Sequence, residues 1–217
     1  MTSPPPPVRL PEADRFSDIL SRLGREGGPE LSVGEGMAAF GERGVAAMML
    51  LFALINMLPL PPGGTTITGF PLLFLSVELA IGRQTHWLPR RLREARVKRE
   101  TFRKGFGWLV PIVRFAENLT RPRLLWLTGW FGQGLIGLTC FLLSIVLVLP
   151  IPLGNIAPAV TIGLFSLGMM QRDGIVVVLG WVSTAISVGL LAFAWKVVWG
   201  AIRHVVEQVT TWGLPIP

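Results

Sequence analysis

Apolar residues dominate the chain from Gly44 onward, in runs that stop at regular places. Residues 44–58 are apolar apart from Asn56. A helix of that length covers about 22 Å, short of the roughly 30 Å hydrocarbon core of a bilayer. The run ends in Leu58-Pro59-Leu60-Pro61-Pro62-Gly63-Gly64, where two of the residues that least favour a helix interior come together. After Thr65, Thr66 and Thr68, Pro71 is suited to open a new helix over 71–82, about 18 Å long. A second helix–break–helix series follows: a helix over 130–149, a break from Pro150 to Ala157 that begins Pro150-Ile151-Pro152-Leu153-Gly154-Asn155, and a helix from Pro158 to Gln171, about 21 Å long. Residues 175–195 form a long proline-free apolar run, the one segment expected to span comfortably. Val197, Val198, Ala201, Ile202, Val205, Val206 and Val209 then continue a helical stripe, expected along the membrane interface.

The pattern before Gly44 is different. Pro4 to Pro7 mark an extended arm over 1–13 that cannot pack a core. Phe16, Ile19, Leu20 and Leu23 recur at helical spacing opposite Asp14, Arg15, Asp18 and Arg22, which predicts a short amphipathic helix lying on the protein or the bilayer. Ser32-Val33-Gly34-Glu35 has the form of a capping box and should start another.

The two breaks lie 91 positions apart, and the spacing holds back to Phe40-Gly41 and Phe131-Gly132. A fixed offset of this kind marks an internal repeat. The expected fold is an all-α integral membrane protein of two repeats, each a helical hairpin broken at a Leu-Pro-x-Pro-x-Gly stretch. Basic interfacial helices join the repeats, and one clear transmembrane helix follows. The divisions are 1–13 arm, 14–84 first repeat, 85–123 basic interfacial helices, 124–174 second repeat, 175–199 transmembrane helix and 200–217 interfacial tail. Two geometries fit the breaks Pro59, Pro61, Gly63, Pro71, Pro150, Pro152, Gly154 and Pro158. They are outer turns of spanning hairpins, or they are interruptions at membrane depth. The shortness of the helices after the breaks favours the second, since paired interrupted segments are a pointer to a transport-type site.

Composition sharpens the membrane reading. Of 217 residues 51% are hydrophobic and 15% charged, against about 25% charged in soluble domains. Net charge is +7, concentrated in residues 83–123, with twelve Lys or Arg against Glu94, Glu100 and Glu117. Phe102, Phe106, Leu109 and Val113 give that segment an apolar stripe, but its charges argue against a span. Its location beside apolar helices predicts a cytoplasmic side. Arg90, Arg91, Arg93, Arg96, Lys98 and Arg99 form a surface for anionic lipid or a partner, and no nucleic-acid motif accompanies them. Trp87, Trp108, Trp126, Trp130, Trp195, Trp199 and Trp212 fall near proposed boundaries, as an aromatic belt would; Trp181 does not.

Candidate chemistry is sparse. Cys140 is the single cysteine, His86 and His204 are far apart, and no metal site or cofactor is expected. The stretch after Pro61 lacks the lysine of a phosphate loop, and no hydrolase motif occurs, so no enzyme is expected. Glu78 is the one acid inside an apolar helix: either a functional group or a side chain reaching the interface beside Arg83. Asn56 either binds a solute or bridges helices. With Thr65, Thr66, Thr68 and Asn155 these two make up a candidate polar site. Gly129, Gly132, Gly134 and Gly137 suit close helix approach. Arg172-Asp173-Gly174 suits a tight interfacial turn.

The twin proline motifs, Gly82-Arg83, His86-Trp87-Leu88-Pro89-Arg90 and Gln171-Arg172-Asp173-Gly174 together resemble the ExoD family of bacterial exopolysaccharide synthesis proteins, over about residues 14–199. The resemblance implies a bacterial inner-membrane protein supporting exopolysaccharide production, and carries no catalytic residues. Two functions follow as expectations. One is a transporter-like protein with its polar site at the breaks. The other is a non-transporting accessory protein holding polysaccharide machinery or anionic lipid through the basic segment. A homodimer is expected from the small-residue surfaces and the small size of the chain.

Overall fold

The computed structural model describes residues 16–25, 29–57, 64–82, 94, 96–98, 109–149 and 155–211. Its helices divide into a peripheral layer and an apolar bundle. The layer begins with α1 (Phe16–Arg25). Its apolar stripe is buried at Phe16 and Leu20, and Phe16 stacks on Phe40 with ring centroids 4.9 Å apart. It lies on protein because α5 (Leu109–Leu119) faces it. The buried Glu117 carboxylate of α5 accepts hydrogen bonds from the Ser17 N–H, at 3.3 Å, and the Ser17 hydroxyl, at 2.6 Å. Arg114 pairs with Asp18 at 3.3 Å, but both are half exposed, so the pair contributes little.

Strand β1 (Glu30–Ser32) pairs antiparallel with β2 (Arg96–Lys98), Glu30 opposite Lys98 and Ser32 opposite Arg96. Arg96 and Lys98, expected on interfacial helices, therefore lie on a strand. An edge supplied by β1 takes their backbone hydrogen bonds and overrides local helical preference. Ser32 then caps α2 (Val33–Phe40). The Ser32 hydroxyl accepts from the Glu35 N–H at 3.1 Å, and the Glu35 carboxylate accepts from the Ser32 N–H at 3.2 Å, which is the capping box read in the sequence.

The bundle consists of α3 (Gly44–Asn56), α4 (Gly64–Ile81), α6 (Trp130–Val148) and α7 (Ile156–Gln171). α3 packs on α4 and α7, and α6 packs on α4 and α7, so each helix has two neighbours in the ring. The α4–α6 contact is the most extensive. It is antiparallel: Gly69 lies beside Leu147 and Val148, and Gly82 beside Trp130 and Gln133. Between them a Cβ on Gly137 would stand 2.4 Å from the Ala80 nitrogen, so the two backbones touch. Helices in lipid gain no hydrophobic drive from one another and rely on such close packing and on hydrogen bonds.

α8 (Gly174–Thr211) runs antiparallel to α7. Gly168 meets Val177, Phe165 meets Trp181 edge to face at 5.2 Å, and the Thr161 hydroxyl lies 2.7 Å from Ser183 and 3.0 Å from Ser187. Trp181, which fits no aromatic belt, is thus a packing residue. Trp126, Trp130, Trp195 and Trp199 are all exposed. From Gly174 to Trp195 the helix rises roughly 32 Å, close to a hydrocarbon core. The helix does not stop at the interface. It continues without interruption for 38 residues in all, across the division expected at residue 199.

Among the described residues three helices are long and apolar enough to cross a membrane: Gly64–Ile81, Trp130–Val148 and Gly174–Val197. The expectation of a single clear span is corrected, chiefly by α4. It starts at Gly64, so Pro71 lies buried inside it and neither breaks nor opens it. Proline has a helical φ, and a membrane helix tolerates it where neighbouring helices and Ser or Thr side chains can bond the backbone group it frees.

Two outcomes follow from this packing. Gly137→Ala should lower the unfolding free energy in detergent by about 1–3 kcal/mol, because the new methyl meets backbone. Gly134→Ala should be nearly neutral, its methyl reaching the Ala80 oxygen at an ordinary 3.5 Å. Ser183→Ala and Ser187→Ala should each cost about 0.5–1.5 kcal/mol by losing a bond to Thr161, measured by equilibrium unfolding followed by tryptophan fluorescence.

Candidate functional site at the break end of the bundle

Antiparallel packing brings the last turns of α3 and α6 and the first turns of α4 and α7 to one end of the bundle. Gly163 of α7 faces Leu50, Ala53 and Met57 of α3, Thr68 of α4 bonds Asn56 of α3, and Thr66 of α4 bonds the end of α6. Pro59, Pro61, Gly63, Pro150, Pro152 and Gly154 lie outside the described residues. Pro158 sits buried in the first turn of α7.

Two helix N-termini and two C-termini meet here, and each carries backbone groups without intrahelical partners. The side chains satisfy some of them. The Thr66 hydroxyl donates to the Val148 carbonyl at 2.9 Å, capping the last turn of α6 from another helix. Asn56 is 1% exposed. Its Nδ2 donates to the Phe52 carbonyl at 2.8 Å, and its Oδ1 accepts from the Thr68 hydroxyl at 2.9 Å. The Thr68 hydroxyl also lies 2.9 Å from the Gly64 carbonyl. It has one hydrogen, so it donates to either, and the exchange needs no movement of the helix. Thr65 is half-buried in the same turn.

Asn155 differs. It is buried at the N-terminus of α7, where its carbonyl accepts from the Ala159 N–H at 3.1 Å. Its side chain makes no capping bond, and its Oδ1 has no hydrogen-bond partner among the described residues. Asn56, Thr66 and Thr68 are thus joined, while Asn155 is held at the same end with acceptor capacity in reserve.

Glu78 is buried in α4 but ten residues beyond Thr68, roughly 15 Å along the axis toward the opposite end. It lies apart from the break-end residues, deeper in the bundle. Of the basic surface, Arg90, Arg91, Arg93 and Arg99 lie outside the described residues, and Arg96 and Lys98 fall on β2. No group of three or more His, Cys, Asp or Glu among the described residues is arranged to hold a metal ion. The break-end turns offer hydroxyls, an amide and helix termini, which suit a polar uncharged group better than proton transfer.

Two hydroxyl clusters were not anticipated. Ser76 of α4 and Ser144 of α6 lie 3.5 Å apart, each bonded back to its own helix, Ser76 to Leu72 and Ser144 to Cys140. Thr161, Ser183 and Ser187 join α7 to α8. The spacing of Ser183 and Ser187, one turn apart in an apolar run, was the available signal.

Known proteins place this architecture. Residues 16–193 match the family model described as "Exopolysaccharide synthesis, ExoD". Protein ExoD of Rhizobium meliloti is 31% identical over 179 residues, covering 77% of this chain and 72% of that protein. An uncharacterized protein of Synechocystis is 27% identical over 155 residues, covering 69% of this chain and 71% of its own length. No solved structure matches. With the match running through the peripheral layer, the bundle and most of α8, the chain belongs to the ExoD family of exopolysaccharide synthesis proteins.

Proposed function

We propose that this protein lies in the bacterial inner membrane, basic segment toward the cytoplasm. There it supports exopolysaccharide production as a transporter-like protein whose polar site is at the paired breaks. The observation that carries the reading is reciprocal packing. Shifted by 91 positions, α3 falls on residues 135–147 within α6, and α4 falls on 155–172 around α7. The first helix of each repeat thus packs on the second helix of the other, α3 on α7 and α4 on α6. Two repeats exchanged in this way would bring the helix termini that flank the breaks to one shared end. Interrupted helices of paired repeats supply solute and ion sites in transporters. The site is made of Asn56, Thr65, Thr66, Thr68 and Asn155, with Glu78 deeper along α4. No reaction is assigned to it.

An accessory role is favoured by a different observation. The Ser17–Glu117 bonds fasten α1 to the helix that ends the basic segment, building a peripheral layer suited to contact polysaccharide machinery. A homodimer is compatible with either role.

Two experiments separate the readings. In a strain lacking the chromosomal copy, Thr66→Val, Asn56→Ser and Glu78→Gln should each reduce exopolysaccharide output at least ~10-fold at unchanged protein level in the membrane fraction. Full output from all three removes the transporter reading. With Cys140→Ser as background, single cysteines at positions 63 and 154 should resist a membrane-impermeant thiol reagent applied to intact cells and react with a small permeant one. Ready labelling from outside at both would make the breaks outer turns and leave the accessory role.

A further inference from the structure

The opposite end of the bundle carries a feature that the proposed function does not use. The chain between α5 and α6 crosses the α7–α8 turn and is stapled to it. The Arg123 N–H donates to the Arg172 carbonyl at 3.3 Å, the Gly174 N–H donates to the Arg123 carbonyl at 2.7 Å, and the Arg121 N–H donates to the Asp173 carboxylate at 2.8 Å. The other oxygen of Asp173 accepts from the Ile175 N–H at 2.9 Å, capping α8. Gly174 is needed for this approach, since a Cβ there would stand 2.5 Å from the Leu124 side chain and 2.8 Å from the Leu124 carbonyl.

The staple has an electrostatic consequence. Asp173 is buried and spends both oxygens on backbone amides, so it is not offered to a guanidinium. Arg121, Arg123 and Arg172 are brought together and all three are exposed. None has an acidic partner among the described residues. Arg172 ends α7 in the left-handed region at φ 54°, where glycine or asparagine costs least, and Leu124 adopts φ 51° beside it. The backbone thus bears strain while carrying a cation and an apolar side chain outward at the same junction.

The surroundings identify the partner. Leu124, Leu125, Trp126, Trp130 and Phe131, in the stretch that follows Arg123, are exposed, Trp130 at 81%. Trp130 opens α6, which is long and apolar enough to span a membrane. Exposed tryptophan at the start of such a helix sits at headgroup depth. A soluble anion has no use for that apolar rim, whereas a phospholipid offers a charged head to the arginines and acyl carbon to the rim. We propose that Arg121, Arg123 and Arg172, with Trp126 and Trp130, form a binding site for the headgroup of an anionic phospholipid in the adjoining leaflet. The site uses none of residues 90–99, and it stands whether or not anything passes through the breaks. Guanidinium groups suit a phosphate through paired hydrogen bonds.

The test uses the full chain, purified in a neutral detergent and titrated with phosphatidylglycerol, phosphatidylcholine or inorganic phosphate. Binding is read by tryptophan fluorescence and by lipid retained in native mass spectrometry. Phosphatidylglycerol should bind at least ~10-fold tighter than phosphatidylcholine. The R121Q/R123Q/R172Q variant should lose on the order of 100-fold in affinity if the three charges add. R121K/R123K/R172K should keep most of it. Circular dichroism and gel filtration check folding, and should the triple variant fail to fold, Arg123→Gln alone should weaken binding about 5-fold, since the staple uses only its backbone. Equal binding of both lipids, undiminished binding by the glutamine variants, or phosphate competing as well as lipid would overturn the proposal.

Discussion

Backbone contact between α4 and α6 at Ala80 and Gly137 is the constraint on which the rest of the bundle depends. Inside an apolar solvent the exclusion of water cannot draw helices together, so their cohesion comes from short-range packing and from the few hydrogen bonds between them. Close approach is possible only where a side chain is missing. Gly137 supplies that along α6, and Gly69 supplies it near the other end of the pair. With the two helices so near, the Ser76 and Ser144 hydroxyls come within reach of one another, and the Thr66 hydroxyl reaches the last carbonyls of α6. α3 and α7 then complete the ring, and α8 attaches to α7 through Phe165, Trp181 and the Thr161 cluster.

A ring of four antiparallel neighbours has two chemically different ends. At one, helix termini and small polar side chains gather, with no titratable side chain in the turns concerned. At the other, arginines collect beside Asp173, whose carboxylate is bonded by backbone amides. One end is thus neutral and polar, and the other carries exposed cations. The peripheral layer of α1, α2 and α5 adds to the basic side, where Glu117 is buried because Ser17 supplies it with two donors.

Much of this was legible in the chain. Ser32 and Glu35 announced the start of α2, because a capping box is a local exchange of hydrogen bonds that needs no tertiary partner. The ends of α6 and α7 lay within two residues of the expected bounds, since glycine, proline and the apolar run all act through the local backbone. Gly137 was marked for close packing by its place among spaced glycines. The errors were of another kind. Pro71 was expected to open a helix, and Arg96 and Lys98 to lie on one. In each case packing against another element decided the outcome: α4 lies along α6 with its proline buried, and β1 provides the edge on which residues 96–98 pair.

Residue order alone therefore determined membrane character, the start of α2, the ends of α6 and α7, the distribution of charge and the offset between the two proline stretches. All of these depend on composition or on hydrogen bonds within a turn or two. Tertiary structure alone decided which polar residues share a site. Asn56, Thr66 and Thr68 meet across helices, Glu78 is carried about 15 Å away on the same helix, and Arg121, Arg123 and Arg172 converge from segments some fifty residues apart. Such convergence is set by which helix faces which, and that follows from where backbones can touch, a property of pairs of surfaces that no single stretch of sequence contains.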